Sequence, residues 1–232
     1  MKIFEDYHTH TNYSHGTGTP EQNVCAAIEK GLSRIAITEH SGGHYLFGVR
    51  GEKLCALRRE VDRLASRYAN DIDVLFGMEC NLTAFGECDA PERASCDVLL
   101  LAYHKGVWPH DGLALSCAME AMHLRKANPK IVAQALLAAA DKYKIDIFSH
   151  PCLYVACDMD ILSRGAAQLG VAIELNGSRL SMSDEQILTA AGNGAKLIIN
   201  SDAHRPERVG EGECALTAAH RCAIEDKIVN IR

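Results

Sequence analysis

The sequence predicts a parallel α/β fold in which seven strand–helix units curl into a barrel with an outer ring of helices. Seven short runs rich in Val, Ile and Leu recur along the 232 residues, separated by amphipathic stretches that carry helix caps. Most of the runs are apolar on both faces, as strands of a sheet covered by helices are. No long linker, composition break or internal repeat interrupts the series, so residues 1–232 read as one domain. Right-handed crossovers between successive neighbours close such a chain into a barrel, and seven strands instead of eight make the closure irregular.

The first run is "KIFEDYH" from Lys2. Thr19-Pro20-Glu21-Gln22 then forms a capping box with Pro at the first helical position, and Gly31 closes that helix. "RIAITEH" from Arg34 precedes a helix from Glu52 to Arg67 with charge pairs on its outer face. The third and fourth runs are "IDVLFGME" from Ile72 and "DVLLLAYH" from Asp97. The connection from Lys105 to Lys144 is the longest and holds two helices. Asn128-Pro129 opens the second of these, with Ile131, Val132, Ala135, Leu136, Ala139, Ala140 and Tyr143 on one face. "IDIFSH" from Ile145 and "VAIELN" from Val171 follow, then a second capping box at Ser183 and Gln186, and finally "KLIINSDAH" from Lys196.

Composition removes several classes of function. With 47% hydrophobic and 23% charged residues the chain can bury a sizeable core and is not disordered. A formal charge of −6 argues against a nucleic-acid binder but not against a phosphorylated substrate, because bound metal can make a site locally cationic. Met1 to Asp6 has no apolar core of a signal peptide, and no window approaches the length of a membrane span. A cytoplasmic protein without a membrane partner is expected; oligomeric state has no signature. The ten cysteines could suggest a disulfide scaffold, but that belongs to short secreted chains. Cys25, Cys55, Cys117, Cys214 and Cys222 fall in helix-like segments and no Cys-x-x-Cys pair exists, so reduced, mostly buried thiols are expected. Cys152 and Cys157 lie in a loop beside the candidate site.

Function is written at the strand ends. The stretch "DYHTHTNYSHGTGTP" brings His8, His10 and His15 together, and every later apolar run also ends in a group able to bind metal or substrate. These are Glu39-His40, Glu79, His104, His150, Glu174 with Asn176, and Asp202 with His204. In a barrel of parallel strands such ends gather on one rim. His8 and His10, two residues apart, leave the same face of a strand and can share a metal. A lone histidine there would be an ordinary satisfied polar group. Seven His, one Glu and one Asp converging from separate strands are a metal site. Nine donors exceed what one zinc takes, so two or three divalent ions sharing a carboxylate are expected; zinc, manganese and iron all suit imidazole and carboxylate. His44 and His110 fall in loops, His123 and His220 in helices.

"DYHTHT", "TEH", "GMEC", "YH", "HP" and "SDAH", in this order and at these strand ends, resemble the PHP (polymerase and histidinol phosphatase) family over essentially the whole chain. The resemblance implies a distorted (β/α)7 barrel and a trinuclear centre that hydrolyses phosphate esters. It would give His8, His10, Glu79 and Asp202 to one metal. Glu79 would bridge to a second, also held by His104 and His150, and His15, His40 and His204 would hold the third. Glu39 stands where many members have Asp. Asp6 is expected to face the same way as His8 and orient its imidazole.

The expected chemistry is hydrolysis of a small phosphomonoester, such as histidinol phosphate, a nucleotide or a sugar phosphate, by a metal-bound hydroxide. Asp202 and His204 are the catalytic candidates. Arg179 and Arg205 are the cations expected to hold phosphate, ahead of Arg50 and Lys105. Two alternatives compete: an amidohydrolase, a class that also opens with His-x-His, and a metal-stabilised interaction domain without activity.

Overall fold

Alternation along the strands sorts the buried side chains into two apolar clusters. In the computed structural model, which describes residues 1–232, β3 (Asp73–Ala84) sends Val74, Phe76, Met78, Cys80 and Leu82 outward into a cluster of 52 buried residues shared with the helices. The inward positions of the strands supply a second, six-residue cluster of Ala36, Val98, Leu100, Ile147, Ala172 and Ile198, which plugs the barrel. Above this plug the inward positions turn polar, with Thr38, Glu79, Asn81, Glu174 and Asn200 all buried. One face of the barrel floor is therefore apolar and the other is chemistry.

The sheet joins β1 (Glu5–Asp6), β2 (Arg34–His40), β3, β5 (Val98–Ala102), β6 (Ile147–Phe148), β7 (Ala172–Asn176) and β8 (Lys196–Asn200) in that order, every pair parallel. These are the seven strands read from sequence. An eighth, β4 (Glu87–Cys88), was not expected; β3 runs past the rim and β4 folds back on it antiparallel through a turn with Gly86 at φ +70°. Closure between β8 and β1 is irregular because side chains replace the ladder. Asn200 Oδ1 accepts the Tyr7 N–H (3.0 Å) and Asp6 Oδ1 accepts the Ser201 N–H (3.0 Å). A single bridge of Thr9 to Ala203 completes it. β1 and β6, two residues each, are shorter than their apolar runs.

The helices begin where their caps dictate. α1 (Pro20–Glu29) and α6 (Asp184–Gly192) each start with a complete capping box, at Thr19/Gln22 and Ser183/Gln186. α2 (Glu52–Arg67) has the predicted bounds. α3 (Gly112–Ala121) and α4 (Pro129–Tyr143) both lie in the long connection, with Asp111 and Asn128 as their caps. α5 (Met159–Leu169) and α7 (Glu213–Cys222) cover the later strands. His123, expected in a helix, lies just beyond α3 in a left-handed turn at φ 60°, because α3 ends at Ala121. All ten cysteines are free thiols. No helix is long and apolar enough to cross a membrane.

Candidate metal centre

The nine side chains singled out at the strand ends meet at the C-terminal rim. Thr9 fixes the segment after β1: its N–H donates to Thr38 Oγ1 (3.0 Å) and its hydroxyl to the Ala36 carbonyl (2.7 Å). His8 and His10, on either side of it, bring their Nε2 atoms to 3.2 Å. Glu79 rises from β3 directly after the inward position of Gly77, where any Cβ would lie 2.5 Å from Val98 Cγ1. His40 ends β2, while His104 and His150 each follow their strand by two residues. Strand alternation runs Ile147 inward, Phe148 outward and Ser149 inward, so His150 should face away. Its left-handed backbone, φ 28°, returns the ring to the rim. Asp202, at φ 50°, is also left-handed.

Two donor sets have the dimensions of metal sites. His8 Nε2 lies 3.2 Å from Glu79 Oε1 and 3.5 Å from Asp202 Oδ1; His10 Nε2 lies 3.5 Å from Glu79 Oε2 and 3.4 Å from Asp202 Oδ1. Metal–ligand bonds of about 2.0–2.1 Å in a tetrahedron space the ligand atoms by about 3.3–3.4 Å. In the second set Glu79 Oε1 is 2.8 Å from His150 Nε2 and 3.0 Å from His104 Nε2, which are 3.2 Å from each other. The third set is looser. His15 and His204 approach to 2.6 Å between Nε2 atoms, and the His15 ring stacks on His40 at 4.9 Å, but His40 turns Nδ1 toward Glu79 Oε2 at 3.0 Å.

Glu79 Oε2 tests whether cations belong here. It is buried and has no hydrogen-bond partner, a costly state for a carboxylate oxygen that a divalent ion between it and His10 or His40 would relieve. The donor chemistry fits. Burial works against charge at His8 and His10, yet the surrounding carboxylates, Glu79 and Asp202 among them, lift both well above the ordinary imidazole value. Burial would raise Glu79 and Asp202, but the surrounding imidazoles hold both well below the carboxylate range. The pocket thus keeps its carboxylates ionised and draws positive charge inward. His15 is pushed down to about 3 by burial and then by neighbouring histidines, and His40 to about 4 by burial, which outweighs the opposing pull of Glu79, so both keep lone pairs free for metal.

Behind these donors stands a layer that sequence reading resolved only in part. His8 Nδ1 donates to Glu174 Oε1 (2.8 Å), and Glu174 Oε2 accepts the His150 N–H (2.8 Å). Asp6 does not orient the His8 ring as expected. Its carboxylate accepts backbone N–H groups of His8 (3.3 Å), Ser201 (3.0 Å) and Gly210 (2.8 Å), so it fixes the chain while Glu174 fixes the imidazole. Glu39 braces the turn after His10, accepting the Thr11 N–H (2.8 Å) and the Thr11 and Ser14 hydroxyls. His104 Nδ1 donates to Asn81 Oδ1 (2.7 Å), and Asn81 in turn donates through Nδ2 to Asp89 Oδ2 (2.7 Å). Asp89 directly follows the unpredicted β4 and also accepts the Gly43 N–H (2.7 Å). Nothing in its local sequence marked it.

A pocket of about 310 Å³ opens above the donors, lined by eight of the nine; His8 lies buried beneath. Its remaining walls are His44, Leu46, Phe47, Lys105, Gly106, Leu153 and Tyr154. His44, in the loop after β2 as expected, is buried, stacks on His40 at 4.9 Å and accepts the Phe47 N–H at Nδ1 (3.2 Å). Burial and the charge of His40 push it down to about 4. Arg179 and Arg205 are exposed and do not line the pocket, and Arg50 donates to the Gly42 carbonyl (3.1 Å). Lys105 is the cation that does line it.

Comparison with known proteins gives the family. The family model described as "PHP domain" matches residues 6–176. The chain is 27% identical over its full length to the "DNA polymerase/3'-5' exonuclease PolX" of Bacillus subtilis, but spans only 40% of that protein. It is 30% identical to a "Probable phosphatase" of Aeromonas hydrophila, over 92% of the chain and 83% of the relative. Among solved structures, a histidinol phosphate phosphatase from Lactococcus lactis, complexed with zinc, L-histidinol and phosphate, superimposes with a TM-score of 0.66. It covers 97% of this chain and 94% of its own at 17% identity, a likeness of fold.

Proposed function

We propose, from the premise that this chain belongs to the PHP domain family, that it is a metal-dependent phosphoesterase acting on a small phosphomonoester. The observation that carries the reading is the orphaned Glu79 Oε2 within a ring of imidazoles spaced as metal ligands. His8, His10, Glu79 and Asp202 would hold one ion, and Glu79, His104 and His150 a second. His15, His40 and His204 would hold a third, zinc, manganese or iron serving in each place. Bound metals supply Lewis acidity, activating water and neutralising phosphate oxygens.

The chain's own groups do the positioning. Glu174 holds the His8 ring with Nε2 toward the site, and Asn176 Nδ2 donates to Asp202 Oδ2 (3.0 Å), leaving Oδ1 for His8 and His10. His204 donates from Nδ1 to the Asp202 carbonyl (2.9 Å), which leaves its Nε2 lone pair turned toward His15 as a metal donor. Arg179 and Arg205, beyond the last two strands, are proposed as outer contacts of the phosphate. Phe47 and Tyr154 line the pocket above the buried donors.

The test is phosphate release from p-nitrophenyl phosphate. Activity should disappear with chelator, return on adding metal, and be absent in His8→Ala and Asp202→Asn. Full turnover by a metal-free preparation would refute the proposal. Amide and lactone substrates run in parallel would detect an amidohydrolase, and metal that raises thermal stability with no hydrolysis would favour a non-catalytic domain.

A further inference from the structure

The walls of the pocket outside the metal donors differ sharply in character. Leu46, Phe47, Leu153 and Tyr154 make them mainly apolar, and Lys105 is their one cation. Glu79 and Asp202 are the only carboxylates lining the cavity, and both are turned to the histidines. Phe47 stacks on the His15 ring (4.5 Å, 17° between planes), so its position is set by the rim itself. Tyr154 stands across the mouth, 6.3 Å from the His104 ring and 6.5 Å from His150. The Lys105 ammonium lies 5.4 Å from the centre of the Tyr154 ring.

These walls are held in place by two paired loops. His44 and Val107 form an antiparallel bridge, and the Tyr45 N–H donates to the Gly106 carbonyl (2.8 Å). The Phe47 N–H donates to His44 Nδ1 (3.2 Å), so this buried histidine fixes Phe47, while the loop pairing fixes the backbone directly after Lys105. Apolar surface continues outward from the mouth, with Leu46 70%, Tyr45 75% and Trp108 76% exposed on these loops.

We propose that this site selects monoesters whose leaving group is flat and apolar, an aryl phosphate, with Phe47 and Tyr154 as the walls for the ring and Lys105 as the cation on the phosphate. The assignment rests on the phosphoesterase reading above. An amino-alcohol leaving group would need a free carboxylate at the mouth, and a polyol would need several hydrogen-bonding side chains; the walls offer neither. A cavity of about 310 Å³ is at the small end of ligand pockets, enough for a phosphate and one ring system.

The experiment is calorimetric titration of the zinc-loaded protein with phenylphosphonate, 2-aminoethylphosphonate and 3-hydroxypropylphosphonate, none of which is hydrolysed. Two aromatic walls should make phenylphosphonate bind roughly tenfold to a hundredfold more tightly than the other two. Phe47→Leu and Tyr154→Leu should each shrink that preference, and Lys105→Ala should weaken all three alike, with partial recovery in Lys105→Arg. Values of kcat/KM for phenyl phosphate against glycerol phosphate should show the same order. Equal affinities, or preference for the amine, overturn the inference even if esters are hydrolysed. Preferential phenylphosphonate binding with no ester hydrolysed leaves the inference standing and removes the phosphoesterase reading. Failure to bind any phosphonate removes both.

Discussion

Substituting Asp89 by Asn should loosen a metal site that Asp89 never touches. Its carboxylate accepts three N–H groups: Asn81 backbone (2.6 Å), Asn81 Nδ2 (2.7 Å) and Gly43 (2.7 Å). Hydrogen bonds to a charged acceptor contribute about 1.5–3 kcal/mol each, and the Asn amide would present an NH₂ to at least one of these donors. A loss of about 2–3 kcal/mol in folding stability follows. The more informative consequence lies at His104. Asn81 can accept from His104 Nδ1 only while its own NH₂ is held by Asp89 and by Ser41 Oγ (3.1 Å). Once released, Asn81 can turn its NH₂ to the imidazole, moving the His104 proton to Nε2 and removing the lone pair that faces Glu79 and His150. Loss of such a supporting partner weakens metal binding about 10–100-fold, equivalent to about 1.4–2.7 kcal/mol. Competition with a chromophoric chelator would measure the affinity, and nitrogen chemical shifts of His104 would identify its tautomer. A variant that loses stability but keeps wild-type metal affinity and the Nδ1–H tautomer would refute the relay.

Removing His15 by His15→Ala should spare the metal proposed for His8 and His10 and cost at most one equivalent by elemental analysis; loss of all metal would contradict separate sites. Thr19→Ala deletes the side-chain acceptor of the Gln22 N–H (3.2 Å) and should lower stability by about 1 kcal/mol in urea titration, with no change in metal content. Glu120 supplies a pH dependence. Burial favours its neutral form, but the Ala127 N–H (2.8 Å), Lys126 (3.1 Å) and the Ala156 N–H (3.3 Å) outweigh this and depress its pKa below 4.5. Its contribution is therefore complete above the unfolded value and is lost as pH falls through the folded one. The stability difference between wild type and Glu120→Gln should shrink from pH 6 toward pH 3, and a constant difference would exclude the charge as the cause.

Much of the fold was legible because its signals are local. Capping boxes at Thr19 and Ser183 fixed two helix starts, and strand ends named the rim residues because apolar runs stop where the barrel opens. What escaped was encoded in long-range pairing. Asn81 and Thr83 look like the polar end of a strand, yet β3 continues through them because their side chains are buried against the pocket wall and β4. Asp89 acquires meaning only when that hairpin brings it to Asn81. Asp6 failed the alternation argument because β1 ends at Asp6, and beyond it the backbone pairs through side chains instead of a regular ladder. His44 carried no periodic signal at all, since its place depends on two loops meeting across the pocket.

The left-handed backbone at His150 and Asp202 sets a conflict between two kinds of selection. For a side chain with a Cβ this conformation is unfavourable, of order 1–3 kcal/mol, and glycine would relieve it. A library screened for heat resistance should therefore enrich glycine at 150, while one screened for turnover should retain histidine there. Position 202 should behave alike, less strongly, since Asp tolerates this region better than His. These two residues mark where ancestral or engineered stabilisation of the barrel would meet its limit before the core did.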